Sequence, residues 1–392
     1  MSDGFAQILL AAALLWDQRL GEMPSKLHPV VWFGAGVDLV RRVSFRPAAS
    51  PAMQCFAGML TLALMVLAAG SFGGVLQVLL ACLQDSTCLH DLLGSWVSVP
   101  VRSAPDTPSA SPFSSGFPSG GSIIFSVPSP IALAGSVCSL VLGAYFLKST
   151  FAARALVEAG RRMVREAKTA REAKTAREVT GEDCLAPLRR ELTNLCSRDP
   201  TDLSEEELFA ATIESLTENI SDSVVAPLMY YLFFGIQGAI VYRAINTMDA
   251  MIGYRGQYLW FGKAAARVDD LVNWVPSRVT AFIMVVASLP LGLSLRDGIR
   301  IFFRDRYRTE SPNAGQPMAM AAGLLGVRLE KREHYVLHAE APSPKRNDLE
   351  CAIRLTSHTC FLAQLLCLVF VLCLPLPLPW AFGGMYRCGW FE

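Results

Sequence analysis

The chain has 392 residues, 52% of them hydrophobic and only 18% charged, where ordinary soluble domains carry about 25% charged residues. A formal net charge of +1 offers no bulk attraction to nucleic acid or to acidic partners. Charge-free runs alternate with densely charged segments, which predicts an all-α, polytopic integral membrane protein.

The chain starts without a basic stretch ahead of its first apolar run. Phe5 to Trp16 is therefore expected to persist as a short helix ending at Asp17, not as a cleaved signal. His28 follows in Leu-His-Pro-Val-Val-Trp-Phe-Gly, and a lone histidine of this kind is more often structural than catalytic. Lys26, Arg41, Arg42 and Arg46 mark this first loop as cytoplasmic. Ala52 to Leu83 and Ile123 to Leu147 are charge-free and long enough to span. The connection between them has one arginine, Arg102, and should face outward, with Ser103 to Ser122 a disordered loop.

Lys148 to Asp222 is charge-rich and should face inward, and its Arg165 to Glu178 repeat reads as a solvated helix extension. Ser223 to Tyr242 and Val279 to Leu295 are charge-free but marginal: Pro227, Gly235, Gln237 and Gly238 interrupt the first, Pro290 the second. If both span, 243–278 lies outside; if neither does, they are buried or re-entrant and everything from Lys148 to His358 is cytoplasmic. Loop charge permits both arrangements. Thr359 to Phe382 closes the chain as a further span. The expected organisation is 1–147 membrane helices, 148–222 a charged cytoplasmic helical segment, 223–358 the motif-bearing core, and 359–392 the last span and tail. Eleven cysteines show no C-x-x-C spacing and read as small apolar residues.

Chemistry concentrates between Glu205 and Gln316. Ser204 is a plausible N-cap with acids in the following turn. Glu214, Glu218 and Asp222 recur at i, i+4 and i+8, one helical face, so they need a cation or a basic partner. Asn246 and Asp249 lie three apart at the end of an apolar run. If 263–273 is helical, Arg267, Asp270 and Asn273 share one face. Adjacent acids beside an asparagine are oxygen donors suited to Mg²⁺ with substrate phosphates completing its shell. Lys263, Arg267, Arg278 and Arg255 suit phosphate or carboxylate. Gly256 to Lys263 is no P-loop: the glycine spacing is one residue too long and Ala264 replaces the metal-binding hydroxyl. His334 and His338 lack a third ligand. Ser311-Pro-Asn313-Ala-Gly-Gln316-Pro-Met offers two amides in a tight turn.

Together these stretches resemble the CobD/CbiB-type cobalamin-biosynthesis proteins. The resemblance is carried by His28-Pro-Val, Glu214-Ser-Leu-Thr-Glu-Asn-Ile-Ser-Asp-Ser-Val-Val-Ala-Pro-Leu, Tyr242 to Tyr254, Phe261 to Arg278 and Ser311 to Met318, in that order. Arg198-Asp199 stands where the family has Arg-Asp-Thr, but Pro200 follows.

The resemblance implies an inner-membrane adenosylcobinamide-phosphate synthase, a ligase that uses ATP as cosubstrate and Mg²⁺ to join adenosylcobyric acid to aminopropanol or its phosphate. It also implies that 243–278 is cytoplasmic and that the marginal runs do not simply span. On this reading Glu214, Glu218, Asp222 and Asp249 handle metal and nucleotide, and His28 is a general base. Asp269 and Asp270 bind a second metal or position the amine, while Lys263, Arg267 and Arg278 neutralise phosphate. Asn219, Asn246, Asn273, Asn313 and Gln316 orient substrates, and Tyr254, Tyr258 and Trp260 pack on the corrin ring. Expected partners are the corrinoid and amino-alcohol substrates, the lipid bilayer and other enzymes of the pathway, possible self-association included, but no nucleic acid. A non-catalytic sensor or regulator, or a transporter, is the alternative.

Overall fold

The structure is a computed structural model and describes residues 3–84, 130–172, 183–196, 198–253 and 256–373. The Ser/Pro loop, the end of the six-residue repeat, Tyr254, Arg255 and the C-terminal tail lie outside the described residues. Among the described residues, four helices are long and apolar enough to cross a membrane, and a bent pair makes up to five.

The N-terminal part is α1 (Asp3–Arg19), α2 (Pro29–Ser44), α3 (Pro51–Gln84) and α4 (Pro130–Lys148), with α5 (Ala153–Glu172) bent 44° from α4. Helix α3 is apolar on all sides, as a helix facing both lipid and protein must be. Lys148 is fully buried at the end of α4, 3.2 Å from Asp17 of α1 and 2.9 Å from Glu22. That ion knot lets two charges end an apolar helix pair without meeting water.

After the short α6 (Ala186–Thr193) comes α7 (Glu205–Ile220). Ser204 caps it in a capping box with Glu207. Helix α7 is buried almost throughout, enclosed by α5, α6 and the elements that follow, so its carboxylates are not a solvated face. A π turn, Ser221–Val225, joins it to α8 (Ala226–Ile252).

Helix α8 is not one rod. At Gly235 the backbone has φ 64 and ψ −159, a region open essentially to glycine alone. The rings of Tyr230 and Tyr242 stack at 5.0 Å, whereas twelve residues of straight helix separate side chains by about 18 Å. The chain therefore reverses, and 226–234 and 236–252 form a helical hairpin. Its apex lies against α3, where Gln237 donates to the Gly70 carbonyl at 2.9 Å and a Cβ on Gly73 would come within 2.8 Å of Gln237. The first marginal run is thus re-entrant in shape, as one of the two topologies required.

The remaining helices are α9 (Lys263–Val272), α10 (Trp274–Ser288), α11 (Leu295–Asp305), α12 (Gly315–Leu325) and α13 (Arg346–Cys373). Between α12 and α13, β1 (Leu329–Lys331) and β2 (Tyr335–Leu337) pair antiparallel, with Lys331 opposite Tyr335. This hairpin packs on α7. The sequence offered no sign of it, since each strand is only three residues long.

Candidate functional site

The polar centre forms where the second limb of the α8 hairpin meets α9. Because the chain reverses at Gly235, Tyr242, Arg243, Asn246 and Asp249 are carried back alongside the π turn that holds Asp222. The Tyr242 hydroxyl donates to Asn273 Oδ1 at 2.8 Å and lies 3.1 Å from the Asp222 carbonyl. Asn273 in turn donates to Asp269 at 3.0 Å, Asn246 donates to the other Asp269 oxygen at 3.4 Å, and Arg243 donates to Asn246 at 3.2 Å. Asp269 and Asn273 are 9% and 1% exposed. A buried carboxylate is thus held between two neutral amides, with the nearby charge of Asp249 left uncompensated. Burial, then the charge of Asp249, pushes Asp269 up to about 7, against the two amide hydrogen bonds.

Asp222 stands in the electrostatic field of Asp269, Glu218, Arg243 and Asp249. A π turn is where helices often display functional groups, because the extra residue frees backbone from the regular ladder. Glu218 faces Lys331 and Asp269. Glu214, one turn earlier, is committed to Arg198 at 3.2 Å, although its second carboxylate oxygen is buried without a hydrogen-bond partner. Arg198 also donates to the Glu330 carbonyl at 3.4 Å, which ties β1 to this corner. Tyr335 and Lys331 approach Glu214 from the β-hairpin.

A second polar group adjoins the first. Ser311 donates to Asp270 at 3.0 Å, and Asn313 donates to the Asp270 carbonyl at 2.7 Å. Ser277 and Arg278 both donate to Asn313 Oδ1 at 3.3 Å, and the Arg278 guanidinium lies 4.2 Å over the Trp274 ring. Gln316 is fully buried, donates to Pro312, and keeps its own carbonyl oxygen free of partners.

Several expectations need correction. The face of α9 that turns inward carries Asp269, and Asn273 follows on that side at the C-cap; Arg267 is exposed, and Asp270 points to the 311–316 loop instead. Helical spacing allowed either set, and the burial of Asp269 selects between them. Tyr258 is a core residue, packed edge-on against Phe45 and bonded to Arg41, so its ring is not free to carry a ligand. Trp260 is 37% exposed with Lys263 4.7 Å over its ring. His28 joins a different network: its Nε2 contacts Glu22 at 3.2 Å, and its Nδ1 accepts the Val30 amide as the N-cap of α2. Asn219 is engaged within its own helix, donating to the Ser215 carbonyl at 2.9 Å.

Roles for Tyr242, Arg243, Lys331 and Tyr335 were not foreseen. Tyr242 stands twenty residues beyond Asp222, so no helical period connects them; only a reversal at Gly235 does. Among the described residues no three His, Cys, Asp or Glu side chains converge as a ready-made metal cage.

The model of the CobD/Cbib protein family matches residues 117–356. A probable cobalamin biosynthesis protein CobD of Methanothermobacter thermautotrophicus is 32% identical over 94% of this chain and 98% of its own length. The protein of that name from Thermococcus kodakarensis is 35% identical over 88% of each chain. A cobalamin biosynthesis protein CobD of Dehalococcoides mccartyi is 44% identical over 45% of this chain and 58% of its own. No solved structure matches. The family match covers α4 to the first part of α13, including every residue of the polar centre, and the chain belongs to the CobD/Cbib family.

Proposed function

We propose that the chain is an adenosylcobinamide-phosphate synthase, which joins adenosylcobyric acid to aminopropanol or aminopropanol phosphate at the expense of ATP. The observation that carries this reading is the convergence of Asp222, Asp249 and Asp269 with amide and guanidinium donors in one buried centre, in a chain of a cobalamin-biosynthesis family.

A carboxylate is a poor acceptor for an amine. Transfer of the terminal phosphoryl group of ATP to a propionate oxygen gives an acyl phosphate; the amine nitrogen then forms the C–N bond as the C–O bond to phosphate breaks. The amine must also lose a proton. Asp269, held near neutrality by burial, suits a base at that step, whereas both ring nitrogens of His28 are already engaged. Arg198, Arg243 and Arg278 border the centre and suit phosphate or carboxylate oxygens. Asn246, Asn273, Asn313 and Gln316 supply neutral donors and acceptors that orient the corrinoid amides and the amino alcohol.

The donor set fits Mg²⁺ in kind. That ion takes one or two protein carboxylates and completes its shell with water and phosphate oxygens, so no protein cage is needed. Asp222 and Asp249 would hold it, with Glu218 beside them, and Glu214 is the least suited because Arg198 already occupies it. Mg²⁺ supplies charge neutralisation on the phosphates when bound. On this reading the centre opens to the cytoplasm, where ATP is, and the membrane is the inner one.

The test is a coupled assay on detergent-purified protein with adenosylcobyric acid, aminopropanol phosphate and MgATP, product being followed by mass spectrometry beside Asp222→Asn. Amide product with nucleotide consumption, both lost in the variant, is the expected result. Folded protein giving no product with either amine overturns the ligase reading.

A further inference from the structure

Helix α11 carries an apolar row that nothing among the described residues covers. Its inner side, Gly298, Ile301 and Asp305, is buried against α12, where Gly298 lies on Leu324. On another side Ile299, Phe303 and Tyr307 recur every four residues and are 44, 63 and 62% exposed. Single exposed apolar side chains are ordinary, but two large ones in line on one short helix, with a third in the turn that follows it, call for a partner.

Charge says what kind. Between 295 and 308 the sequence has five arginines and only two aspartates, and both acids are engaged. Asp297 pairs with Arg300 at 3.1 Å, and Asp305 is held by Arg304 and Arg308 at 2.8 and 3.1 Å. Arg296 is exposed at the start of the row. Arg306 is half-buried and lies over the rings of Phe302, Phe303 and Tyr307 at 4.9, 4.9 and 4.7 Å, its Nε buried among them without a hydrogen-bond partner. A cation is thereby fixed beside the apolar row rather than left to wander in solvent.

The place in the chain agrees. Helix α11 follows within a few residues of Trp274–Leu291, a segment long and apolar enough to cross a membrane. The outward residues Phe282, Val286 and Leu289 of that segment are themselves 70, 39 and 58% exposed. An amphipathic, arginine-rich helix with an aromatic apolar side at the end of such a segment has the composition of a helix lying in a bilayer interface.

We propose that α11 lies on the bilayer surface and binds anionic phospholipid. Ile299, Phe303 and Tyr307 sit at the boundary between headgroups and acyl chains, and Arg296 and Arg306 meet lipid phosphates. Anionic headgroups are favoured because the cations flank the row while the acids are internally paired. This surface is independent of the ligase reading and of its catalytic groups.

The test uses the full chain in nanodiscs of phosphatidylcholine and phosphatidylglycerol in known ratio, with the photo-cross-linker benzoylphenylalanine placed at Phe303. The same cross-linker at Glu333, exposed in the β-turn, is the control away from lipid; at Leu67, exposed on α3, it reports correct insertion. Irradiation should give phospholipid adducts at 303 and 67 but not at 333, with phosphatidylglycerol enriched several-fold at 303 over its share of the bilayer. Arg296→Gln with Arg306→Gln should bring that share down to the bilayer ratio, and the paired Arg→Lys changes should keep it. Adducts to a second copy of the chain at 303, no lipid adduct there, or equal labelling at 303 and 333 would each overturn the proposal. So would a bilayer-ratio lipid mixture at 303 in the parent protein.

Discussion

Asp269 and Asp305 are both buried aspartates near the end of a helix, and their partners differ in kind. Asp305 is fully buried and saturated: Arg304 grips both oxygens at 2.8 Å, Arg308 adds a contact at 3.1 Å, and the His338 amide donates at 2.8 Å. Asp269 has, among the described residues, the two neutral amides of Asn246 and Asn273 as its partners, with Asp249 adding repulsion. Charge at Asp305 is spent on joining α11 to the segment after β2. Charge at Asp269 is left over, which is the condition for taking up a proton, a cation or an amine. Lys148 extends the contrast from the cationic side, since Asp17 and Glu22 saturate it as the arginines saturate Asp305.

The sharpest way to break this contrast is Asp269→Asn. If the residue is the base of the proposed ligase, kcat should fall by about 10²–10⁴, while thermal stability in detergent near neutral pH should hold or rise, because a repulsive buried charge is removed. A variant that loses stability and activity together would place Asp269 with the structural group. Lys148→Met should behave in the opposite way. It leaves Asp17 buried without its cation, and the destabilisation is expected at roughly 3–5 kcal/mol. Adding Asp17→Asn should recover part of that loss, and thermal unfolding of the single and double variants measures it. Asp305→Asn should cost about 1.5–3 kcal/mol. The lower end is expected because Arg304 and Arg308 are 36% and 47% exposed and water screens them. The activity proposed above should persist in the folded fraction.

Which of these residues could be recognised in the sequence follows from the range of the interactions. Local patterns were legible. The charge-free run Ala52 to Leu83 is α3, the run to Leu147 ends in α4, and the Ser204 cap begins α7 with its capping box complete. The two-amide turn of Asn313 and Gln316 was legible as a polar turn, but it was read as a place for substrate, and the bonds of Asn313 to the Asp270 carbonyl and from Arg278 were not foreseen. Long-range pairings were not legible. Nothing in the spacing of Lys148, Asp17 and Glu22 announces a knot across 131 positions, and the choice of Asp269 over Asp270 for the buried face depends on the reversal at Gly235. That glycine was noted only as an interruption. Its left-handed φ, which folds Tyr242 back to Asp222, is a property of the packed hairpin against α3 and not of its neighbours in sequence.

The two aspartates also differ in the sign of their pH response. At Asp305 burial works upward, but Arg304, the His338 amide and Arg308 outweigh it and hold the carboxyl below its ordinary value. A depressed folded value means that its stabilisation is present above the unfolded value of about 4 and is lost as pH falls through the folded one. From pH 5 to 8 this group contributes no slope. Asp269, raised to about 7, keeps its proton more tightly in the folded chain than in the unfolded one. Unfolding then releases a proton between these values, so stability falls as pH rises from about 5 to 7, by at most about 1.4 kcal/mol per unit for one group. Asp269→Asn should flatten that slope and leave the acid limb below pH 4 intact, whereas Asp305→Asn should weaken the acid limb and leave the neutral slope. Thermal unfolding of the parent and both variants across pH 3.5–8 separates the two. A neutral slope that survives Asp269→Asn would mean that the surplus charge of the centre resides on another carboxylate.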